Sequence, residues 1–352
     1  MNLPTLQRRR PTIRDVAQHA AVNPSTVSRA LNPATRHLLG TAVVERVLAS
    51  AKHLGYRPNN AASALRGGRS QLIGMLLPDI TNPVFPPIVR GLEEELSKAG
   101  FAVLVANTGG APAEQNRLLE RMLGSMVDGL IIATASRQDF LVQRCLAENM
   151  PAVLVNRGED DRHIPEVVND DFLSMRLAVD HLAGLGHTRI GHLAGPSRLA
   201  TGASRAQGFA LAMESRALAS AAVVECDDFT RAAGAKACCA LLDACPDVTA
   251  IVAANDLIAL GCYDALAARG LSCPGDVSIV GHNDMPLVDM LNPPLTSLRI
   301  QHVEMGRQAA RLLLDHIRDP ASAPVRITLT PQLMVRDSTA APPDLPTKRR
   351  LS

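Results

Sequence analysis

The 352-residue sequence lacks the hydrophobic segments that would place a chain in or across a membrane. Its first residues, MNLPTLQRRRPT, include a basic cluster but no apolar stretch behind it, so they do not resemble a secretory signal peptide. No run approaches the roughly 18 apolar residues that a membrane helix needs. We therefore expect a cytoplasmic protein with no membrane partner.

The cysteines lack the paired spacing of a disulfide framework or a zinc site. There are seven of them, an odd number; two are adjacent and the rest are scattered. This pattern favours reduced thiols. Cys145, Cys226 and Cys262 are expected to be small apolar residues in or near the core. Phosphate-binding loops and GxSxG elbows are also missing, so we expect no catalytic residue, no cofactor and no metal.

Acidic residues are scarce at the start of the chain. Residues 1–70 contain eleven Lys or Arg but only two Asp or Glu, whereas the whole chain has 36 and 34 of them. A basic head on an acidic body indicates a polyanionic partner for the head alone. The alternative is a basic tail with no specific partner.

The segment TIRDVAQHAAVNPSTVSRALN, residues 12–32, predicts two short helices joined by a tight turn. Apolar residues recur there at helical spacing. Thr12 is suited to cap the first helix, and Asn23 with Pro24 is suited to start the second. A third helix is predicted over residues 41–54.

Three short helices with a polar, basic outer face are typical of a helix-turn-helix module, although a small helical bundle without a DNA role gives a similar pattern. The second helix of such a module enters the major groove of double-stranded DNA. The candidate DNA contacts in this head are Thr12, Ser25, Thr26, Ser28, Arg29, Asn32 and Tyr56.

Residues 58–70 predict a short hinge helix followed by a glycine-containing link. So short a helix is unstable alone and needs DNA or a second copy of itself as a partner. Leu65, beside the basic Arg66, is suited to insert into a minor groove. Alternatively, Leu65 packs against the next domain.

From residue 71 onward, apolar strands alternate with helical segments in two series. Parallel sheets with crossover helices, and hence two doubly wound lobes, are predicted by this rhythm. The predicted strands are residues 72–77, 101–106, 129–134 and 152–156, then 189–195, 223–226, 250–255 and 277–282.

Ligands of open α/β sheets bind at the carboxyl ends of the strands, and in a two-lobed protein those ends meet in a cleft. The side chains at these ends suit a small polyhydroxylated or carboxylated molecule. Each one taken singly is equally well explained as a loop cap or a structural ion pair. The candidates are Asp79, Phe85, Asn156, Arg157, Arg205, Phe229, Asn255, His282 and Asn283.

Several segments occur in a fixed order: TIRDVAQHAAVNPSTVSRALN, LGYRPNNAASALRGGRS, IGMLLPDITNPVF, GLGHTRIGHLAGP, SRAQGF, AANDLIALG and VSIVGHNDMP. Over residues 11 to about 337 the chain resembles the lac-repressor (LacI/GalR) family of transcription regulators. The resemblance implies a small all-α helix-turn-helix head (1–57), a hinge (58–70) and an α/β, two-lobed, periplasmic-binding-protein-like body (71–337).

The resemblance further implies a homodimer that binds a pseudo-palindromic operator. A small-molecule effector is expected to bind this homodimer and change the angle between its lobes. It places lobe 1 at about 71–168 plus 296–325, and lobe 2 at about 169–295 plus 326–337. It implies DNA contacts for Ser25, Thr26 and Arg29 and hinge roles for Asn59 and Leu65. In the cleft it implies that Arg205 grips effector oxygens, that Phe229 stacks on the effector, and that Asn156, Asn255 and Asn283 hydrogen-bond to it.

The sequence departs from the family pattern in the head and in the cleft. Ala21 replaces a common glycine in the turn of the helix-turn-helix, which should cost some stability, and Ser63 replaces a frequent hinge arginine. Asn156 and Asn283 stand where aspartates are frequent in sugar-sensing members. Because asparagine does not repel carboxylates and can donate hydrogen bonds, we favour a sugar acid or another small carboxylate over a neutral sugar. With Arg157, Arg205 and His282 expected nearby, the cleft is predicted to accept an anion.

Residues 338–352 are polar and proline-rich and lack an apolar heptad. A disordered tail and a dimer rather than a tetramer are therefore expected. Two other functions stay open. A transport-type binding protein would need only the body, and an enzyme of the doubly wound class would turn over its ligand.

Overall fold

The computed structural model describes residues 11–32, 35–56, 70–109 and 112–343. The chain divides after Ser70 into a head and a body, each of which is treated by itself. Across the described residues, no helix combines the length and the apolar character needed to cross a membrane.

The head contains the three predicted helices, α1 (Ile13–His19), α2 (Pro24–Leu31) and α3 (Thr41–Leu54), with a 3₁₀ turn at Arg36–Leu38. Their facing sides form one small core of Val16, Ala17, Ala20, Val27, Ala30, Val47 and Ala51. The predicted cap of α1 is confirmed. The Thr12 hydroxyl accepts a hydrogen bond from the Asp15 backbone N–H at 3.4 Å, and the Asp15 carboxylate accepts one from the Thr12 N–H at 2.6 Å.

The turn between α1 and α2 has a left-handed residue. Ala21 has φ +51°, a conformation that glycine adopts without strain and that an L side chain disfavours. The expected cost of alanine at this position therefore has a definite backbone origin. The head keeps its three packed helices in spite of it.

The body contains two six-stranded sheets. The first has the order β11-β5-β4-β3-β1-β2, with parallel pairing throughout. Its strands are β1 (Leu72–Leu77), β2 (Ala102–Asn107), β3 (Gly129–Ile132), β4 (Ala152–Val155), β5 (Glu166–Asn169) and β11 (Arg326–Leu329).

The second sheet has the order β12-β10-β9-β8-β6-β7, and only β12 runs antiparallel to its neighbour. Its strands are β6 (Ile190–Ala194), β7 (Val223–Glu225), β8 (Ala250–Ala253), β9 (Ser278–Asn283), β10 (Thr296–Arg299) and β12 (Gln332–Met334).

Helices cover both sheets. They are α4 (Phe85–Lys98), α5 (Pro112–Gly124), α6 (Phe140–Ala147), α7 (Asp171–Gly184), α8 (Ala200–Ser215), α9 (Arg231–Ala244), α10 (Asp256–Ala268) and α11 (His302–Arg318). A short 3₁₀ turn lies at Val288–Met290. Among the buried core residues are the three cysteines expected there, Cys145, Cys226 and Cys262.

Two strands lie in the opposite lobe from the one expected. β10 pairs with β9 in the second sheet, although residues 296–325 were expected to begin lobe 1. β11 pairs with β5 in the first sheet, although residues 326–337 were expected in lobe 2. The chain thus passes between the sheets after β5, between β10 and α11, and between β11 and β12. Local pattern shows that a strand exists but not which sheet it joins, because pairing is decided by distant residues.

Residues 338–343 were expected to begin a disordered tail, and this is wrong. Ser338 is 0% exposed. Its hydroxyl donates to the Ile279 carbonyl at 2.6 Å and accepts from the Thr296 N–H at 2.8 Å. The segment thereby satisfies polar groups of β9 and β10. The rest of the predicted tail lies outside the described residues.

In both lobes, a pair of helices packs backbone to backbone through glycines. Gly91 of α4 lies against the Val303 carbonyl, and Gly306 of α11 lies against the Ile88 carbonyl, with no room for a Cβ at either position. Gly234 and Gly261 give α9 and α10 the same close approach. The close packing of α4 against α11 fixes the position of α4, and the first residue of α4 is Phe85, one of the predicted cleft residues.

Gly306→Ala is expected to lower the free energy of unfolding, because the new methyl group overlaps a backbone oxygen that cannot rotate away. The cost of such overpacking is about 1–3 kcal/mol. The melting temperature should fall by roughly 2–4 °C for each kcal/mol. Gly124→Ala, at the end of α5 with no atom within 4 Å of the added carbon, is the control and should not destabilise the protein. Equal losses in the two variants would contradict the packing argument.

Candidate functional site

The carboxyl ends of the two sheets of the body face a common cleft. At its centre lies a cavity of about 20 Å³, close to the space of one water molecule. Both lobes contribute to its lining, which consists of Asn82, Val84, Phe85, Asn156 and Arg157 from the first lobe and Thr201, Arg205, Phe229, Asn255 and Asn283 from the second. Seven of the nine predicted effector residues are among them. Thr201 was missed, since it lies inside a helical stretch without a local signal.

Two larger chambers adjoin the central cavity. An outer chamber of about 380 Å³ shares Asn82, Arg157 and Phe229 with it and includes the predicted residue Asp79. The Asp79 carboxylate already accepts hydrogen bonds from the Thr81 N–H and hydroxyl, at 2.9 and 2.7 Å. An inner chamber of about 530 Å³ shares Asn156 and Thr201 with the central cavity. A molecule of several carbon atoms therefore has space next to the centre.

Arg205 is held by a buried ion pair. Its side chain is 3% exposed. Its Nε donates to Asp171 Oδ1 at 2.8 Å, and its Nη1 donates to the Ala254 carbonyl at 2.7 Å. Burial raises the pKa of the Asp171 carboxyl, and Arg205 opposes that rise. Asp171 was not predicted from the sequence, where an acidic residue at a helix start reads as an ordinary cap.

His282 does not line the cavity, contrary to expectation. It is 0% exposed within β9, with Nδ1 3.0 Å from Asn283 Oδ1 and Nε2 3.7 Å from Asp171 Oδ1. Burial, with the nearby Arg205 cation, lowers the pKa of the imidazole well below its usual range, so the ring is neutral. His282 thus supports Asn283 and lies behind the lining. The sequence shows that His282 lies near a strand end but not whether its side chain is exposed to the cavity or buried behind it, which accounts for the error.

Two asparagines of the lining have a left-handed backbone conformation, and they lie at the ends of β4 and β9, each the third strand of its sheet. Asn156 comes directly after β4 with φ +67°, and Asn283 ends β9 with φ +112°. Asparagine tolerates positive φ better than most residues because its short polar side chain bonds locally. The positions therefore favour a side chain that is both small and hydrogen-bonding.

Phe229 and Arg157 lie against each other at the junction of the central cavity and the outer chamber. The Arg157 guanidinium carbon is 5.9 Å above the centre of the Phe229 ring. Gly195, with no room for a Cβ, lets the ring pack closely on the backbone. Burial lowers the pKa of Arg157 to about 10, with smaller contributions from the cations Arg205 and Arg198, and the Asp228 carboxylate opposes the shift. The ring face on which an effector was expected to stack is thus partly covered by Arg157.

In the head, α2 presents the predicted polar face. Ser25, Ser28, Arg29 and Asn32 are exposed, and Thr26 is half-buried. On the opposite side, α2 buries Val27 and Ala30 in the core.

The other predicted DNA contacts differ in position. Tyr56 packs beside the head core, and the Thr12 hydroxyl donates to the Asp15 carboxylate at 2.7 Å. Asn59, Leu65 and Arg66, together with Ser63, lie outside the described residues. The contacts assigned to the hinge therefore stay predictions.

The comparisons with known proteins agree in both parts of the chain. Residues 12–59 match the bacterial regulatory proteins of the lacI family, and residues 179–339 match a periplasmic binding protein-like domain. The transcriptional regulator CelR of Thermobifida fusca is 35% identical over 340 residues, covering 94% of this chain and 99% of CelR. The ribose operon repressor of Halalkalibacterium halodurans is 33% identical, covering 93% of this chain and 97% of the repressor.

Solved structures show the same architecture. The lac repressor dimer bound to operator and the anti-inducer ONPF superimposes with a TM-score of 0.84 at 28% identity, covering 95% of this chain and 100% of the repressor chain. A complex of CelR with cellobiose has a TM-score of 0.71 at 32% identity, covering 94% and 100%.

A helix-turn-helix head joined to a two-lobed α/β body defines a DNA-binding transcriptional regulator controlled by a small molecule. The chain belongs to the lacI family of bacterial regulatory proteins. Both the family resemblance and the predicted fold class are confirmed.

Asp171→Ala is expected to lower the free energy of unfolding by about 3–5 kcal/mol, because it leaves the Arg205 cation buried without a partner. The matched control is Asp180→Ala, which breaks the exposed Asp180–Arg216 pair between the same two helices, α7 and α8. Its cost should be about 0–1 kcal/mol. Urea denaturation of both variants measures the difference, and similar midpoints would refute the special role of the buried pair.

Proposed function

We propose that this regulator represses transcription as a homodimer bound to a pseudo-palindromic operator, and that a small polar molecule in the cleft sets its operator affinity. The observation that carries the proposal is the cavity lining, to which both lobes contribute side chains. A ligand there contacts both lobes at once, so it favours one angle between them over another. The similar lac repressor structure is of a dimer bound to operator, which supports the proposal.

The control of DNA binding rests on differential affinity. An effector shifts the protein between two states only as far as it binds one of them more tightly, and the coupling is reciprocal. The same parts therefore serve an inducer or a corepressor. We infer a cytoplasmic protein whose cleft binds its ligand without turning it over. A solute-binding protein without a DNA role is the alternative, and the polar face of α2 on a basic head argues against it.

For DNA recognition we propose the exposed face of α2, with Arg29 as the side chain best suited to a bidentate base contact. Ser25, Thr26, Ser28 and Asn32 would contribute shorter polar contacts from the same face. Leu65 would act as the minor-groove wedge proposed for the hinge.

Arg29→Ala is expected to weaken specific binding by roughly 10- to 100-fold, because one good base contact contributes about 1–3 kcal/mol. The probe is an operator selected by the wild-type protein from random-sequence DNA, with affinity measured by fluorescence anisotropy. Lys52→Ala, which removes one exposed positive charge from α3, is the control. An equal loss in both variants would point to charge alone, and failure to select any sequence would refute the proposed function.

Asn156→Gly is expected to raise the ligand concentration needed for half-saturation by 10-fold or more, because glycine keeps the left-handed backbone and removes only the side chain. The readout is thermal stabilisation by whichever of ribose, cellobiose, gluconate and glucuronate binds the wild type. Asn149→Gly is the matched control, since Asn149 is also left-handed, with φ +51°, but is exposed before β4. An unaltered half-saturation in Asn156→Gly would remove Asn156 from the site.

A further inference from the structure

We propose that the effector is a small organic anion, a carboxylate or phosphate on a polar frame, and that Arg157 is its charge partner. The inference rests on the proposed function, namely that the cleft between the lobes is the effector site. It stands on three features of the cavity: the charge of its lining, the pairing of its two arginines and the hydrogen bonds that already occupy the oxygens of its amides.

The lining of the central cavity contains no carboxylate. Its ten residues are four asparagines, two arginines, two phenylalanines, one threonine and one valine. Asp171 is a carboxylate in contact with a lining residue, but its Oδ1 accepts a hydrogen bond from Arg205. An anion in the cavity therefore meets no like charge in the lining.

The two arginines of the lining differ in their pairing. The charge of Arg205 is compensated by Asp171 at 2.8 Å. The guanidinium of Arg157 makes no hydrogen bond or ion pair with any side chain in the described part of the chain, and its contact is the Phe229 ring at 5.9 Å. A cation held on the face of an aromatic ring keeps its N–H donors, which lie in its own plane, free for a ligand.

The outer chamber places a second arginine, Arg198, beside Arg157, and its lining also includes the carboxylates Asp79, Asp139 and Asp228. Arg198, which lines the outer chamber with Arg157, donates to the Asp227 carbonyl at 3.3 Å rather than to a carboxylate. The carboxylate of Asp228 accepts from the Phe229 N–H at 2.7 Å. Burial and the cations Arg205 and Arg198 lower the pKa of Arg157 to about 10, and the Asp228 carboxylate opposes them in part. A bound anion would further favour the charged form of Arg157.

Three of the four asparagines in the lining have their side-chain oxygens engaged in local hydrogen bonds. Asn82 Oδ1 accepts from the Val84 N–H at 3.1 Å, and Asn255 Oδ1 accepts from the Ile258 N–H at 2.8 Å. Asn283 Oδ1 lies 3.0 Å from His282 Nδ1. With these oxygens engaged, the NH₂ groups are what the three asparagines have left to offer.

A cavity rich in donors is complementary to a group that only accepts. Carboxylates and phosphates are such groups, and charge-assisted hydrogen bonds to them are stronger than neutral ones. A neutral sugar would leave the Arg157 guanidinium without a hydrogen-bonded counter-ion, with only the longer-range field of Asp228 to offset its burial. The central cavity is small, so the polar frame of the ligand would extend into the outer chamber, where the carboxylates of Asp79, Asp139 and Asp228 can accept hydrogen bonds from its hydroxyl groups.

The test compares neutral sugars with their acids and phosphates on the full-length wild type. Glucose is paired with gluconate, glucuronate and glucose 6-phosphate, and glycerol with glycerate and glycerol phosphate, each by isothermal titration and by release or retention of the selected operator. We expect at least one anion to bind more than 10-fold tighter than its neutral parent. Carboxylate and phosphate arms show which anionic group the site takes.

Arg157→Gln should lower the affinity for that anion by 10- to 100-fold, relative to any neutral ligand of the same series. Arg176→Gln removes an exposed positive charge from α7 outside the cleft and should bind the anion like the wild type. Equal losses in both variants would show a long-range charge effect and overturn the assignment of Arg157.

Preferential binding of neutral sugars, or no binding of any anion in the series at about 10 mM ligand, which corresponds to a binding free energy of about −2.7 kcal/mol, would overturn the inference. In either case, sequence-specific DNA binding by the wild type would leave the regulator intact. Failure of the proposed regulatory function would give a different result, because the wild-type protein would then select no operator sequence.

Discussion

The geometry of the cleft depends on the buried ion pair between Asp171 and Arg205. Asp171 stands where the chain first passes from one sheet to the other, and Arg205 reaches from α8 to the carboxyl end of β8. The pair thus joins a crossover, a helix and a strand end at one point. Because neither charge can be exposed without separating these elements, the pair fixes the second lobe's side of the cavity, and Asn255 and Asn283 lie around it.

The head was predictable from the sequence because its determinants are local. Thr12 with Asp15 caps a helix within four residues, and Gly55 at φ +63° ends another. Most of the buried strands could be recognised as well, since each is a short apolar run. Four strands were not predicted, because polar residues interrupt or shorten their apolar runs: Glu166–Asn169, Thr296–Arg299, Arg326–Leu329 and Gln332–Met334. Their place in the fold is decided by partners far away in the chain.

The location of the cleft could be predicted from the sequence, but the function of each side chain in it could not. The rule that ligands bind at strand ends found seven lining residues, but it cannot tell a side chain that faces the cavity from its buried neighbour, as His282 shows. Nor does it show which charge is compensated. From the sequence, Arg157 and Arg205 counted equally toward an anion site. In the structure, Asp171 compensates only Arg205, because a partner 34 residues away reaches it.

The left-handed backbone at Asn156 and Asn283 restricts which residues can replace these asparagines during evolution. Few residues tolerate these angles, chiefly glycine, asparagine and aspartate. Asparagine and aspartate differ by one polar group at nearly constant volume, so a single codon change at either position alters the cavity by one negative charge and leaves the chain trace intact. The backbone thereby limits substitution at these two positions to a few residues, and among them the exchange of asparagine and aspartate changes the preference of the cleft between neutral and acidic ligands.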